Sequence, residues 1–309
     1  MLKNSVFGML ILIVGIMLVF GLAGCGDNGD PTSPPGEEEG TLTGSVSIGG
    51  IPKYTHRIWA DTSSLGGTGT ISYQWIRGTS TSIGTGVYYD ITSADIGQTL
   101  KVRVSRSEET GTKTSVAVSP VYHKIGDEGP AGGIVYYIDN PLGYWLPDGK
   151  QYIEIASNDV SASLAWGLNG TEIAYSNTII GTGKICHDSA IAAGAGAGTA
   201  VGACDAYSVT LYNGALWERT FTDWFLPGLG ELTLMLDYQE KLSGYYSGLS
   251  YDNTNPGLSG MYWTSTSLSN NNDTQAYYVG FFADTGHTNY GSLPEVRTVQ
   301  NKARAIRWF

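Results

Sequence analysis

The sequence predicts a multidomain chain, an all-β sandwich followed by a mixed α+β domain. Three observations predict it. Short runs of alternating apolar and polar residues, separated by turn residues, fill Thr41 to Tyr122. A glycine-rich break, GDEGPAGG, follows at Gly126–Gly133. Beyond it, strand-like runs mix with small-residue stretches and one good helix candidate, Pro227 to Leu242.

Within the first region, Leu42, Val46 and Ile48 predict one strand and Ile71–Arg77 (ISYQWIR) a second centred on Trp75. Leu100, Val102 and Val104 alternate with Lys101, Arg103 and Ser105, a period of two that buries one face. Ser115–Val121 gives a last strand. In the second region, Ile134–Tyr137 and Tyr152–Ala156 predict strands, and His187–Ala193 and Thr199–Tyr207 short helices. Pro227 suits the entrance of the main helix, where Leu234, Met235, Tyr238 and Leu242 form a stripe for core packing. Tyr277, Val279 and Phe281, then Ala303–Trp308, alternate as strands.

Composition supports β-rich, loop-rich structure with real cores. Apolar residues make up 41% and charged residues only 15%, with 43 glycines, 20 tyrosines and 8 tryptophans. The net charge of −11 is uneven. Residues 26–39 carry five acids and no bases, residues 40–122 seven bases and five acids, and residues 123–309 nine bases and eighteen acids. An acidic C-terminal domain argues against nucleic acid as a partner. Arg297, Lys302, Arg304 and Arg307 are expected on a solvated strand face.

The first twenty-five residues combine Lys3, an unbroken apolar run from Val6 to Phe20, and small residues before a lone cysteine. That order predicts a secretory signal peptide rather than a spanning helix. Its ending, Leu22-Ala23-Gly24-Cys25, resembles the bacterial lipobox, which implies cleavage before Cys25 and lipidation there. More than one acyl chain is needed for a stable anchor. The resemblance implies a membrane partner and a place in the bacterial cell envelope, at the outer membrane or cell surface. Residues 1–24 are then the signal peptide. Residues 25–40 are the lipidated cysteine and an acidic tether rich in Pro and Gly.

Two further resemblances refine the folded regions. Tyr73-Gln74-Trp75, Tyr88-Tyr89 and Ala94–Leu100 (ADIGQTL) resemble bacterial immunoglobulin-like modules of surface proteins, which implies such a module over residues 41–122. It has no cysteine pair, so Trp75 and aliphatics must hold it. Gly126–Val135, Trp166-Gly167, Ile180–Lys184, Asp223–Pro227 with Glu231-Leu232, Tyr262–Thr266, Tyr277–Phe282 and Ala303–Phe309 follow in order. Together they resemble the C-terminal domain of the Legionella collagen-like adhesin and its bacterial relatives. This implies a C-type-lectin-like fold over residues 123–309 and a glycan-binding role. The acidity of the domain departs from partners that are sulfated glycans.

Candidate chemistry is sparse. Cys186 and Cys204 are an even pair in an exported chain and are expected to form a disulfide, worth ~3 kcal/mol for a loop of that length, with two buried free thiols as the alternative. No metal is expected, because His187 beside Cys186 lacks CxxC or HxxxH partners. His56 and His123 are expected at the surface, and His187 as a helix cap. No nucleophile motif, phosphate loop or paired catalytic carboxylates stand out, so no enzyme activity and no cofactor are predicted. Relatives of the lectin-like fold include formylglycine-generating oxidases, but Cys186 and Cys204 lie away from the C-terminal core where that chemistry belongs. Asn270–Asp273 and Tyr251–Pro256 are oxygen-rich but lack the calcium-lectin motifs. Aromatics beside amides suit recognition of glycan or protein, which makes Tyr262, Asn289 and Tyr290 the candidate ligand contacts. The expectation is a lipid-anchored adhesion or ligand-binding protein. The alternatives are a structural envelope lipoprotein without a soluble ligand and an exported enzyme on a lectin-like scaffold.

Overall fold

The computed structural model describes residues 40–139, 146–214, 216–242, 258–268, 273–281 and 292–309. These residues are mostly β-sheet, arranged in several sheets, as the composition predicts. The lipidation candidate Cys25 and the tether as far as Glu39 lie outside them. Among the described residues no helix is long and apolar enough to cross a membrane.

In the first region, strand Arg57–Asp61 pairs antiparallel with Ser47–Gly49 on one side and Tyr88–Asp90 on the other. Its period-two pattern sends Ile58 and Ala60 inward and leaves Arg57, Trp59 and Asp61 on the outer face. A second sheet runs in the order Thr81–Gly84, Ile71–Arg77, Leu100–Arg106, Lys113–Thr114. Both sheets enclose one core of Ile58, Trp75, Leu100, Val102 and Val104. Burying each of these side chains contributes roughly 1.5–3 kcal/mol. Trp75 satisfies its indole by donating to the Gly86 carbonyl at 2.9 Å. Asp95, fully buried, pairs with Arg77 at 2.7 Å and accepts from the Tyr89 hydroxyl at 2.9 Å.

Two predicted strands are shorter than the pattern suggested. Leu42 and Val46 are core residues, but the strand holds only Ser47–Gly49, because Gly44 turns the chain with a left-handed φ of 76°. Ser115–Val121 makes only isolated bridges, Leu100 to Val118 and Lys53 to Val121, and Pro120 within it has no N–H to donate.

In the second region, Ile134–Ile138, Tyr152–Ile155 and Ile306–Trp308 form an antiparallel sheet. A five-stranded sheet follows the order Ser161–Ala165, Gln300–Ala303, Gly260–Leu268, Gln275–Phe281, Ser292–Val296. Three helices cover these sheets: α1 (Gly183–Ala192), α2 (Ala200–Asp205) and α3 (Leu229–Leu242). α3 buries Leu232, Met235 and Leu236, a stripe one position round from the predicted one, and Leu234 is only half-buried. The side chains of Tyr238 and Leu242 lie outside the described set.

Three of the four C-terminal basic residues are buried rather than on a solvated face. Arg304 pairs with Asp159 at 2.7 Å, and Arg307 grips Asp223 through Nε at 2.8 Å and Nη2 at 3.0 Å. Arg297 donates to the carbonyls of Leu168, Thr171 and Gln275 and lies over the Trp166 ring. Both faces of these strands are covered, so each charge is matched by a carboxylate or by carbonyl oxygens.

Gly40–Phe309 forms one compact unit. Lys53 pairs with Asp127 at 2.6 Å, and Tyr54 lies against Tyr152 with centroids 6.1 Å apart. His56 and His123 are buried here, contrary to their predicted exposure, with ring centroids 5.1 Å apart. Their Nε2 atoms bond the carbonyls of Glu128 and Tyr54, at 3.2 and 2.7 Å. Tyr152 and Phe309 cover the His123 ring, each with its centroid 5.2 Å away.

Candidate functional site

A cleft of about 310 Å³ opens where the first region meets a β-hairpin of the second. The hairpin pairs Val209–Asn213 with Trp217–Phe221. Alternation decides which side chains face the cleft. Leu211, Asn213, Trp217 and Arg219 are half-buried on its lining, Tyr212 joins them as an exposed residue, and Glu218 and Thr220 point out. Gly214, at φ 55°, supplies the left-handed residue of the turn.

The opposing wall is the outer face of strand Arg57–Asp61. Trp59 meets Trp217 with centroids 5.7 Å apart and a 52° tilt. Gly49, the register partner of Trp59, has no room for a Cβ, because the indole ring occupies that space. Gly50, at φ 98°, sits under the same ring, where a Cβ would come within 2.9 Å of it. The glycine pair therefore fixes the tryptophan flat against its own sheet.

Two guanidinium groups flank these rings. Arg57 holds Asp90 in a bidentate pair, Nε to Oδ1 and Nη2 to Oδ2 both at 2.7 Å, and stacks 3.8 Å over Tyr88. That hydrogen-bonded pair raises the Arg57 pKa further above its usual value. Arg219 donates Nη1 to the Thr55 carbonyl at 3.0 Å and lies over Phe221 at 4.6 Å. Its nearest carboxylate, Asp90 at 3.6 Å, is the one already engaged by Arg57. Burial pulls the Arg219 pKa down, the opposite of a guanidinium with a strong partner.

Two donors on the lining lack partners. Trp217 Nε1 and Asn213 Nδ2 are buried with no acceptor among the described residues. A buried unsatisfied N–H costs roughly 1–3 kcal/mol. The arrangement can therefore stack a ring or apolar group on indole and meet acceptor oxygens with three kinds of N–H.

The residues singled out from sequence fall elsewhere. Tyr262 is wholly buried: its ring meets Phe281 at 5.5 Å and its hydroxyl donates to Asp159 at 3.2 Å, so no face is left for a ligand. The strand carrying it is covered on both sides, which alternation alone does not reveal. Asn289 and Tyr290 lie outside the described residues.

Cys186 and Cys204 form no disulfide; both are free and buried. Cys186 Sγ accepts from the Asn177 amide at 3.2 Å on α1, whereas Cys204 belongs to the apolar cluster around Trp166 and Trp224. His187 is a core connector rather than a cap. Its Nδ1 accepts from the Leu226 amide at 3.1 Å and its Nε2 reaches Asp205 at 3.4 Å. Among the described residues no group of three or more His, Cys, Asp or Glu is placed to hold a metal ion.

The hairpin was missed by sequence reasoning although it carries a signal. Val209–Phe221 alternates on either side of Asn213-Gly214, the strongest short hairpin dipeptide. Comparison of the chain with protein-family models, curated proteins and solved structures finds no match in any of the three.

Proposed function

We propose that this chain is a lipid-anchored envelope protein that binds an extracellular glycan or protein in the cleft between its first region and the 209–221 hairpin. The order of the chain supports display: a lipobox-like Leu-Ala-Gly-Cys, an acidic tether, and then a folded unit. In this reading residues 41–122 are the immunoglobulin-like module and residues 123–309 the lectin-like one, and adhesion is their joint task.

The observation that carries the reading is the pair Trp59 and Trp217, held 5.7 Å apart on the lining of a cleft whose Trp217 Nε1 and Asn213 Nδ2 have no acceptor among the described residues. Indole rings beside unsatisfied donors are costly for stability alone and useful for recognition. At about 310 Å³ the cleft is at the small end of the ~300–1,000 Å³ range of ligand pockets.

The test is a glycan and extracellular-matrix protein array probed with the full chain in detergent, beside Trp217→Ala. Saturable binding to one class, lost in the variant, supports the reading. Silence across the array with a folded chain favours a structural envelope component instead.

A further inference from the structure

We infer that the cleft captures the C-terminal residue of a peptide, with its carboxylate on Arg219 and its apolar side chain against Ile51, Pro130 and Leu211. This rests on the binding role proposed above and names the ligand class for that site.

The charge arrangement points to an anion. Of the two arginines on the lining, Arg57 is saturated by a bidentate carboxylate, while Arg219 has only a shared contact at 3.6 Å and one main-chain carbonyl. Among the described residues its Nε and Nη2 have no hydrogen-bond acceptor, and Glu128, the acidic residue on the lining, forms no ion pair with it. A planar guanidinium held in place over Phe221 is pre-organised for a carboxylate, which it can meet with two parallel N–H bonds. The nearby Arg307 does not compete for that anion, because Asp223 and Glu154 already hold it.

The remaining lining separates a peptide end from an acidic sugar. A sugar ring carries many hydroxyls, each a donor as well as an acceptor, and each needs partners of both kinds when buried. Among the described residues, the buried side-chain atoms of this lining that lack a partner are both N–H donors, Trp217 Nε1 and Asn213 Nδ2, with the free edge of Arg219 beside them and the acceptors of Glu128 and Tyr212 exposed. A chain terminus answers them with two carboxylate oxygens and the preceding carbonyls. Ile51, Pro130 and Leu211 add aliphatic surface beside the indoles, which suits a side chain such as leucine or phenylalanine. The small volume fits the end of a chain better than its middle.

The experiment is calorimetric titration of the full chain in detergent with acetylated tetrapeptides ending in leucine, as the free acid and as the C-terminal amide. The free acid is expected to bind at least about tenfold more tightly, the effect of one charge-assisted contact. Arg219→Gln should bring the acid to the level of the amide and leave the amide unchanged, with Arg219→Lys in between. The acid-to-amide comparison on the unaltered chain holds even if Arg219→Gln weakens the fold. Equal binding of acid and amide, or no binding of either, overturns the inference. Binding of hexuronate oligosaccharides in place of the peptides also overturns it. An array ligand that needs Trp217 but shows no preference for a free carboxylate would sink this inference alone and leave the binding role standing.

Discussion

Trp59 and Trp217 meet at a 52° tilt across the cleft, with ring centroids 5.7 Å apart, one from the first region and one from the distant hairpin. Aromatic pairs of this geometry contribute roughly 0.5–1.5 kcal/mol beyond the area they bury. The pair joins the two regions as well as lining the site. A double-mutant cycle of Trp59→Ala and Trp217→Ala, read by urea unfolding, is expected to give a coupling of about 0.5–1.5 kcal/mol. Strict additivity would show that the rings do not act together.

Gly49 sets the height of Trp59. A methyl group at Gly49 runs into the rigid indole, so Gly49→Ala must push Trp59 out of place. The expected cost is about 1–3 kcal/mol, that of overpacking a fixed neighbour. Ligand binding should fall more than stability does, and near-ultraviolet circular dichroism should change. An unchanged spectrum with full binding would mean that the glycine is not holding the ring.

Stability should fall with acidification through the pair His56 and His123. Burial, reinforced by the neighbouring His123, lowers the His56 pKa from 6.5 to about 4. Burial lowers that of His123 as well. The unfolded chain binds protons below 6.5 while the folded chain resists until about 4, so stability is complete above 6.5 and is lost as pH falls through that window. For His56 the loss amounts to roughly 3 kcal/mol. Glu154 works the other way. Burial raises its pKa to about 7, against the opposing pull of Arg307, so its contribution is lost as pH rises from 4.5. Comparing the chain with His56→Gln cancels that term. The native chain should lose about 2–3 kcal/mol more than the variant between pH 7 and pH 4.5, measured by urea midpoints. Equal losses would remove His56 from the account.

The two buried thiols should be inert in the folded chain. Burial pushes the Cys186 pKa up to about 11 and raises that of Cys204 further. Because the thiolate is the reactive form, iodoacetamide at pH 8 is expected to leave both unmodified until denaturant is added. Peptide mapping after denaturation without reductant should then find both Cys186 and Cys204 alkylated. A linked pair of peptides would contradict the free thiols.

Much of the fold was legible in the sequence where one rule dominates. Period-two alternation placed Ile71–Arg77 and Leu100–Arg106, and small-residue stretches marked α1 and α2. Pattern failed where a strand is covered on both faces. Tyr262 and Arg307 look like half-exposed positions, and they are buried because Phe281 and its apolar cluster pack against Tyr262, and the rings of Phe221, Trp224 and Phe309 against Arg307. Composition misled for Cys186 and Cys204, since an even count in an exported chain says nothing about which packing cluster each thiol enters. The candidate site was hidden for a different reason. Arg57, Trp59, Trp217 and Arg219 come from two distant segments, each ordinary alone, and only their docking places a guanidinium that shares its one carboxylate with Arg57 beside two indoles.

The two regions pack as one compact unit, and the cleft belongs to their junction. Scanning calorimetry of the full chain tests it most directly. A single cooperative transition, with calorimetric and van 't Hoff enthalpies in agreement, is the predicted result. Trp217→Ala should lower its midpoint. Two separable transitions in the unaltered chain, one of them indifferent to Trp217→Ala, would contradict the account.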